Sequence, residues 1–174
     1  MFDPTIYDNL KVVFEGAMYD MDLDGSVQII QRTDRVELSS MSRCFGMEAV
    51  RRQKGLVIGR IMLTASLADL AAELLSQPDE QPGCGLELTF IFPIREVEPD
   101  CAFAAKQMID IWGDKVSVAQ SIHMEYGKQP LKLENHLTIQ FSRKLDERQI
   151  DDIPSLLEHF LLSLERLDQH FFTE

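Results

Sequence analysis

The stretch from Ile150 to Phe171 constrains this chain more than any other. Its apolar residues fall at Ile150, Ile153, Leu157, Phe160, Leu164, Leu167 and Phe171, in alternating steps of three and four. That is the spacing of one helix face. Pro154 fits a first helical turn, where its missing N–H would be unpaired anyway. Asp146, Asp151 and Asp152 gather at the front, where the helix dipole favours acid. At ~1.5–3 kcal/mol per large side chain, burying this stripe represents on the order of 10–20 kcal/mol of gross stabilisation. A helix so apolar needs a sheet, other helices or a second chain to lie against.

The preceding residues supply a sheet. Asp3-Pro4 reads as a helix start, Ile6, Leu10, Val13 and Phe14 line one helical face, and Gly16 can end it, giving a helix from Pro4 to about Glu15. The period then changes to two. Tyr19, Met21 and Leu23 alternate with Asp20, Asp22 and Asp24, and Asp24-Gly25 suits a tight hairpin turn. Val27 to Gln31 returns, Thr33-Asp34-Arg35 turns again, and Val36 to Phe45 completes a three-strand meander. Glu48 to Lys54 reads as a polar connection and Leu56 to Thr64 as a further strand. Ser66 and Asp69 form a capping-box-like start for a helix carrying Leu67, Leu70, Ala71, Leu74 and Leu75. Gln77 to Gly85, with Pro78, Pro82 and Gly83, is the clearest loop. Leu86, Leu88, Phe90, Phe92 and Ile94 alternate without a break, and Pro93 points to a strand that ends at a sheet edge. Asp100 can cap a helix from Cys101 to Trp112, closed by Gly113. Val116 to Tyr126 and Leu131 to Phe141 form a second hairpin around Gly127-Lys128-Gln129-Pro130. The expectation is one α+β domain over residues 1–174, with an antiparallel sheet of about six or seven strands and helices, the last one included, packed on a face.

Charge narrows the partners. Seventeen basic against 29 acidic residues give −12, a surface that repels phosphate backbones and anionic lipid, so neither nucleic acid nor membrane is expected as a partner. No apolar run approaches the roughly 20 residues needed to span a bilayer. The three cysteines (Cys44, Cys84, Cys101) are odd in number and lack C-x-x-C spacing, which suits thiols in a reducing compartment. The first residues, MFDPTIYDN, hold neither a basic nor a hydrophobic region, so no signal peptide is read there and the location expected is cytoplasmic.

Several groupings could carry chemistry. Asp20, Asp22 and Asp24 followed by Gly25 match the opening of an EF-hand calcium loop, but the twelfth position is Gln31 rather than a bidentate glutamate. A solvated acidic edge running into a turn accounts for them better. In the second hairpin, pairing Tyr126 with Leu131 sets Glu125 opposite Lys132, His123 opposite Glu134 and Ser121 opposite His136, all on one face. Serine, histidine and glutamate within cross-strand reach are the residue types of a nucleophile relay, and two histidines with a carboxylate could hold a metal. Paired polar residues also decorate any solvated antiparallel face. On the other, core-facing side, Gln120 and Asn135 are polar among apolar neighbours and are expected to bond to each other or to backbone. They are also candidates for ligand binding. Between Arg32 and Arg60 seven basic residues outnumber three acidic ones, which makes Arg51, Arg52 and Lys54 a candidate anion site beside the plainer reading of a mixed surface. The chain has no phosphate-cradling glycine loop, G-x-S-x-G, H-E-x-x-H or dinucleotide fingerprint.

The order of elements (helix, three-strand meander, helix, two-strand hairpin, long C-terminal helix) resembles the fold of small acidic bacterial secretion chaperones and related binding proteins. The likeness rests mainly on Asp100 to Phe172, with the first helix and meander in support. This chain adds a strand, a helix and a strand between Leu56 and Ile94. The resemblance implies a chaperone-like or protein-interaction role.

The function expected is therefore that of a small acidic cytoplasmic binding or regulatory protein without a cofactor. The alternative is a small-molecule or metal-dependent enzyme using Ser121, His123, Glu134 and His136. A protein partner is allowed for, and self-association as a homodimer is expected. Leu156, Leu161, Leu162 and Phe172 fall outside the C-terminal stripe and would offer a second apolar face for that contact.

Overall fold

Tyr7, Leu10, Phe14 and Met18 are spaced by three and four, and all four are buried along one face of the first helix, α1 (Thr5–Leu23). The computed structural model describes residues 5–75 and 81–172. Asp3 and Pro4, read as the helix start, and Pro78 in the long loop lie outside the described residues. α1 corrects the expected helix end. It continues through Gly16, where no heavy atom would meet an added Cβ, and through Tyr19 to Leu23, which were expected as a strand. The alternation there is misleading because Tyr19 and Leu23 face solvent, at 42% and 86% exposure, whereas the helical spacing is buried. Gly25, at φ +85°, then turns the chain into the sheet.

β1 (Val27–Glu37) passes straight through Thr33-Asp34-Arg35, the expected turn, and the reversal comes at residues 38–41. Asp34, at the centre of the expected turn, pairs with Lys11 on α1, and the neighbouring Arg32 pairs with Glu15. β2 (Ser42–Arg51) absorbs Glu48 to Arg51, expected as a connection. β3 (Ile58–Ala65), α2 (Leu67–Leu75) and β4 (Gly85–Ile94) follow as the sequence suggests. Ser66 and Asp69 form the expected box: Asp69 Oδ2 accepts from Ser66 N (2.8 Å), and Ser66 Oγ accepts from Asp69 N (3.2 Å). α3 (Val97–Trp112) begins earlier than expected, since Asp100 sits in its first turn and accepts from the amides of Arg95 (2.7 Å) and Glu96 (3.0 Å). β5 (Val116–Met124) and β6 (Leu133–Phe141) make the second hairpin. A 3₁₀ segment (Glu147–Asp152) with Asp146 as its cap leads into α4 (Ile153–Phe171).

The six strands run in the order β1-β2-β3-β4-β6-β5, and every neighbouring pair is antiparallel. β3 ends opposite Ile91, so Phe92–Ile94 pair only with β6, which is the local edge that Pro93 signalled. Inward positions such as Phe45, Ile61, Leu88 and Leu137 are buried in one cluster with α1, α3 and α4. Alternate positions form an open face, where cross-strand pairs replace a second layer: Glu48 with Arg60 and Thr89 with Thr138. The C-terminal stripe thus found a sheet. Ile153, Leu157, Phe160, Leu164 and Leu167 are all buried.

Candidate functional site

The β5–β6 register is the expected one, with Ser121 opposite His136 and His123 opposite Glu134. All four side chains meet on the open face. Ser121 Oγ and His123 Nε2 lie 3.1 Å apart, His136 Nε2 and Glu134 Oε1 2.7 Å apart, and the two imidazoles stack with centroids at 3.9 Å. The connectivity divides a relay in two. The serine bonds to His123, while the carboxylate orients His136, so no single imidazole joins nucleophile to acid. The cluster is open to water, with Ser121, His123 and Glu134 exposed. Among the described residues, no three His, Cys, Asp or Glu side chains are grouped to hold a metal ion. Asp20 and Asp22 lie in the last turns of α1; Asp22 bonds to Arg52, and Asp24 caps the following turn by accepting from Ser26 N (2.8 Å).

Gln120 and Asn135 bond as expected: Asn135 Nδ2 donates to Gln120 Oε1 (2.6 Å), and Gln120 Nε2 donates to the Cys101 carbonyl (3.0 Å). The pair ties the hairpin to the start of α3. Arg51 and Lys54 line one recess together with Asp168, and Arg52 stands apart from it. Arg51 turns to Glu165 (3.8 Å) and Asp168 (3.7 Å) on α4, Arg52 turns to Asp22, and Lys54 sits in a turn at φ 59°. Asp168, which sequence reasoning passed over, is the organising residue there. Its Oδ1 accepts from the amides of Leu56 (2.9 Å) and Val57 (3.0 Å), and burial pushes its carboxyl above the ordinary range.

Of the four residues proposed as an interface, Leu156, Leu161 and Phe172 pack against the core of their own chain, and Leu162 remains 37% exposed. Leu156 has a further role. It lines a cleft of about 580 Å³ between the end of α3, the outer strands and α4. Leu86, Trp112, Val116, Phe141 and Leu145 supply the other apolar walls. Lys115, Arg143 and Lys144 stand at this cleft against one acid, Asp114. Three cations to one anion is the reverse of the balance of the whole chain.

Each wall is placed by the fold. Gly113, at φ +77°, donates its amide to the Ile109 carbonyl (2.9 Å) and ends α3 directly after Trp112. Trp112 Nε1 donates to Ser163 Oγ (2.9 Å), and Ser163 Oγ donates in turn to the His159 carbonyl (2.8 Å), so α4 holds the indole. Phe141 meets the indole edge-on at 5.7 Å. Cys84 and Leu145 exchange backbone hydrogen bonds (2.7 and 2.9 Å) that fix the segment carrying Arg143 and Lys144. Lys144 is partly committed to Asp69. An apolar floor with a few placed cations can seat an apolar molecule that ends in an anion. The signals present in the sequence were the single tryptophan and the Arg143-Lys144 pair in an acidic chain.

The fold and this cleft define an α+β protein with one covered sheet face and a ligand-sized recess at the end of its last strands. No protein-family model matches the chain, and no curated protein is significantly similar to it in sequence.

Proposed function

We propose that this protein is a binding module whose cleft beside Trp112 takes a small amphipathic anion, a carboxylate with an aliphatic or aromatic tail. The observation that carries the reading is the inverted charge at an apolar recess of about 580 Å³ in a chain of net charge −12. Pockets of roughly 300–1,000 Å³ suit small molecules, with apolar walls giving affinity and a few polar groups fixing orientation. Arg143 is the anchor favoured by its planar fork, which matches a carboxylate better than an ammonium does. A catalytic role for Ser121, His123, Glu134 and His136 has less support, because their hydrogen bonds split the relay and nothing excludes water from them. Cys44, Cys84 and Cys101 are all free thiols, which fits the cytoplasmic setting we assign. Among the described residues, no helix is long and apolar enough to cross a membrane.

Trp112 is the only tryptophan and lines the cleft, so it reports directly on occupancy. Titration with decanoate is expected to change its emission saturably, with a dissociation constant in the micromolar to millimolar range, about −4 to −8 kcal/mol. Arg143→Glu should weaken binding by roughly tenfold or more, about 1.4 kcal/mol. No saturable change up to millimolar decanoate, or equal affinity in the Arg143→Glu protein, would overturn the reading.

A further inference from the structure

The two edges of the sheet differ in kind. β1 carries Arg32, Asp34, Arg35 and Glu37, and its pairing slips between Ile29 and Gln31. Charge and an irregular register are the usual protections of an edge strand. β5, the opposite edge, reads VSVAQSIHM: nine residues without Asp, Glu, Lys, Arg or Pro. Its register with β6 is unbroken, so no bulge twists the edge away. Ile122 and Met124 point to the covered side of the sheet yet remain 36% and 62% exposed. Among the described residues, no strand pairs with the outer edge of β5.

We propose that this edge is completed by β5 of a second copy, antiparallel about a two-fold axis at Gln120, making one continuous sheet across the dimer. The sequence is self-complementary in that register. Val118 would face the partner's Ile122 and Val116 the partner's Met124, which covers the exposed apolar pair on the helix side. On the open side, Ser117 would face the partner's His123 and Ala119 the partner's Ser121. No like charges meet. At each end, Lys115 would face the partner's Glu125, giving two symmetric ion pairs. Glu125 already pairs with Lys128 (2.6 Å), but both side chains are 69% exposed, so that contact competes weakly. Shifting the centre by one residue loses the Lys115–Glu125 match and leaves one of the two apolar pairings, Val116 with Ile122 or Val118 with Met124. A two-fold interface must be complementary to itself, and this strand meets that condition. Lys115 and Val116 also border the cleft, but the proposal rests on the β5 edge and not on what the cleft binds.

Sedimentation equilibrium at micromolar concentration and about 0.15 M salt should give twice the chain mass of 19.9 kDa. Ala119 and Ser121 are both exposed, so the double variant Ala119→Lys with Ser121→Lys should keep its circular dichroism and become monomeric. A second double variant, Ala119→Glu with Ser121→Glu, should also be monomeric, and mixing the two should restore a dimer. Register is read separately. Lys115→Glu and Glu125→Lys should each weaken the wild-type dimer several-fold, and their combination should recover it. A monomeric wild type, a dimeric and folded Ala119→Lys/Ser121→Lys protein, or folded charge variants that fail to associate when mixed would overturn the edge. A Lys115→Glu/Glu125→Lys protein no tighter than either single variant would overturn the register.

Discussion

Asp168 shows how one side chain can hold a loop. Its Oδ1 receives the amides of Leu56 and Val57, which begin the approach to β3, and Arg51 lies 3.7 Å from its Oδ2. Replacing it with alanine leaves two amides without their acceptor, each at about 1–3 kcal/mol. Asp168→Ala should therefore lower the unfolding midpoint clearly in thermal denaturation, while Asp168→Asn, which keeps an acceptor oxygen, should not. Both variants also lose the pH dependence that this carboxyl gives the wild type. Burial raises the folded carboxyl above its unfolded value, so the native state holds this proton more tightly than the unfolded chain does. The contribution of Asp168 is then full below the unfolded value and falls as pH rises through the raised one. Asp168→Asn removes that loss, so its stability relative to wild type should improve as pH rises above the ordinary carboxylate range. If urea titrations show a constant difference over that rise, the carboxyl does not titrate as its burial requires. Asp69 runs the opposite way. Burial raises it, but Lys144 and Ser66 outweigh that and hold it below the ordinary range, so its contribution is present at neutral pH and lost on acidification.

At the scale of elements, α4 comes close against the sheet at Gly59. A Cβ there would lie 2.4 Å from Phe160 Cζ and 2.9 Å from Leu164 Cδ2, so α4 rests on β3 where a side chain is missing. Phe160 also contacts Phe90 on β4, with ring centroids 5.5 Å apart. Gly59→Ala should push the helix off the strand and cost on the order of 1–3 kcal/mol, the usual penalty of overpacking. Adding Phe160→Leu should recover part of that loss by removing the ring that clashes. Additive penalties in chemical denaturation would show that the two positions do not press on each other. Much of this element was legible: the three–four spacing of α4 gave its buried face correctly, and the strict alternation in β4 gave a strand buried on the helix side. The α1 boundary was not. Tyr19, Met21 and Leu23 alternate as a strand would, and only the burial of Met18, in step with Phe14 one turn earlier, shows that the helix continues.

At the scale of the molecule, the surplus of acid works against compactness. A net charge of −12 is carried by 174 residues, and the inverted balance at the cleft is local. Salt should raise the midpoint of thermal unfolding by screening this self-repulsion, most steeply below about 0.1 M where the Debye length exceeds about 10 Å. A midpoint that falls with added sodium chloride would mean that ion pairs such as Asp34–Lys11 and Asp22–Arg52 outweigh the net repulsion.

What the sequence determined by itself was local and periodic: the C-terminal amphipathic helix, the β4 alternation, the Ser66–Asp69 box and the β5–β6 register, which follows from one turn length. These are readable because apolar spacing and turn chemistry act within a few residues. The tertiary structure alone decided the rest. Thr33-Asp34-Arg35 read as a turn because polar residues normally mark one, but α1 supplies Lys11 and Glu15 to pair with Asp34 and Arg32, so the strand runs on. Ser121, His123, Glu134 and His136 were placed together correctly, yet their hydrogen-bond pattern depends on side-chain orientation that register does not set. The cleft itself was not legible, although the single tryptophan and the Arg143-Lys144 pair that border it were visible. Leu86, Trp112, Phe141, Arg143 and Leu156 come from separate elements, and no periodicity within one segment records that packing will leave a space where they meet.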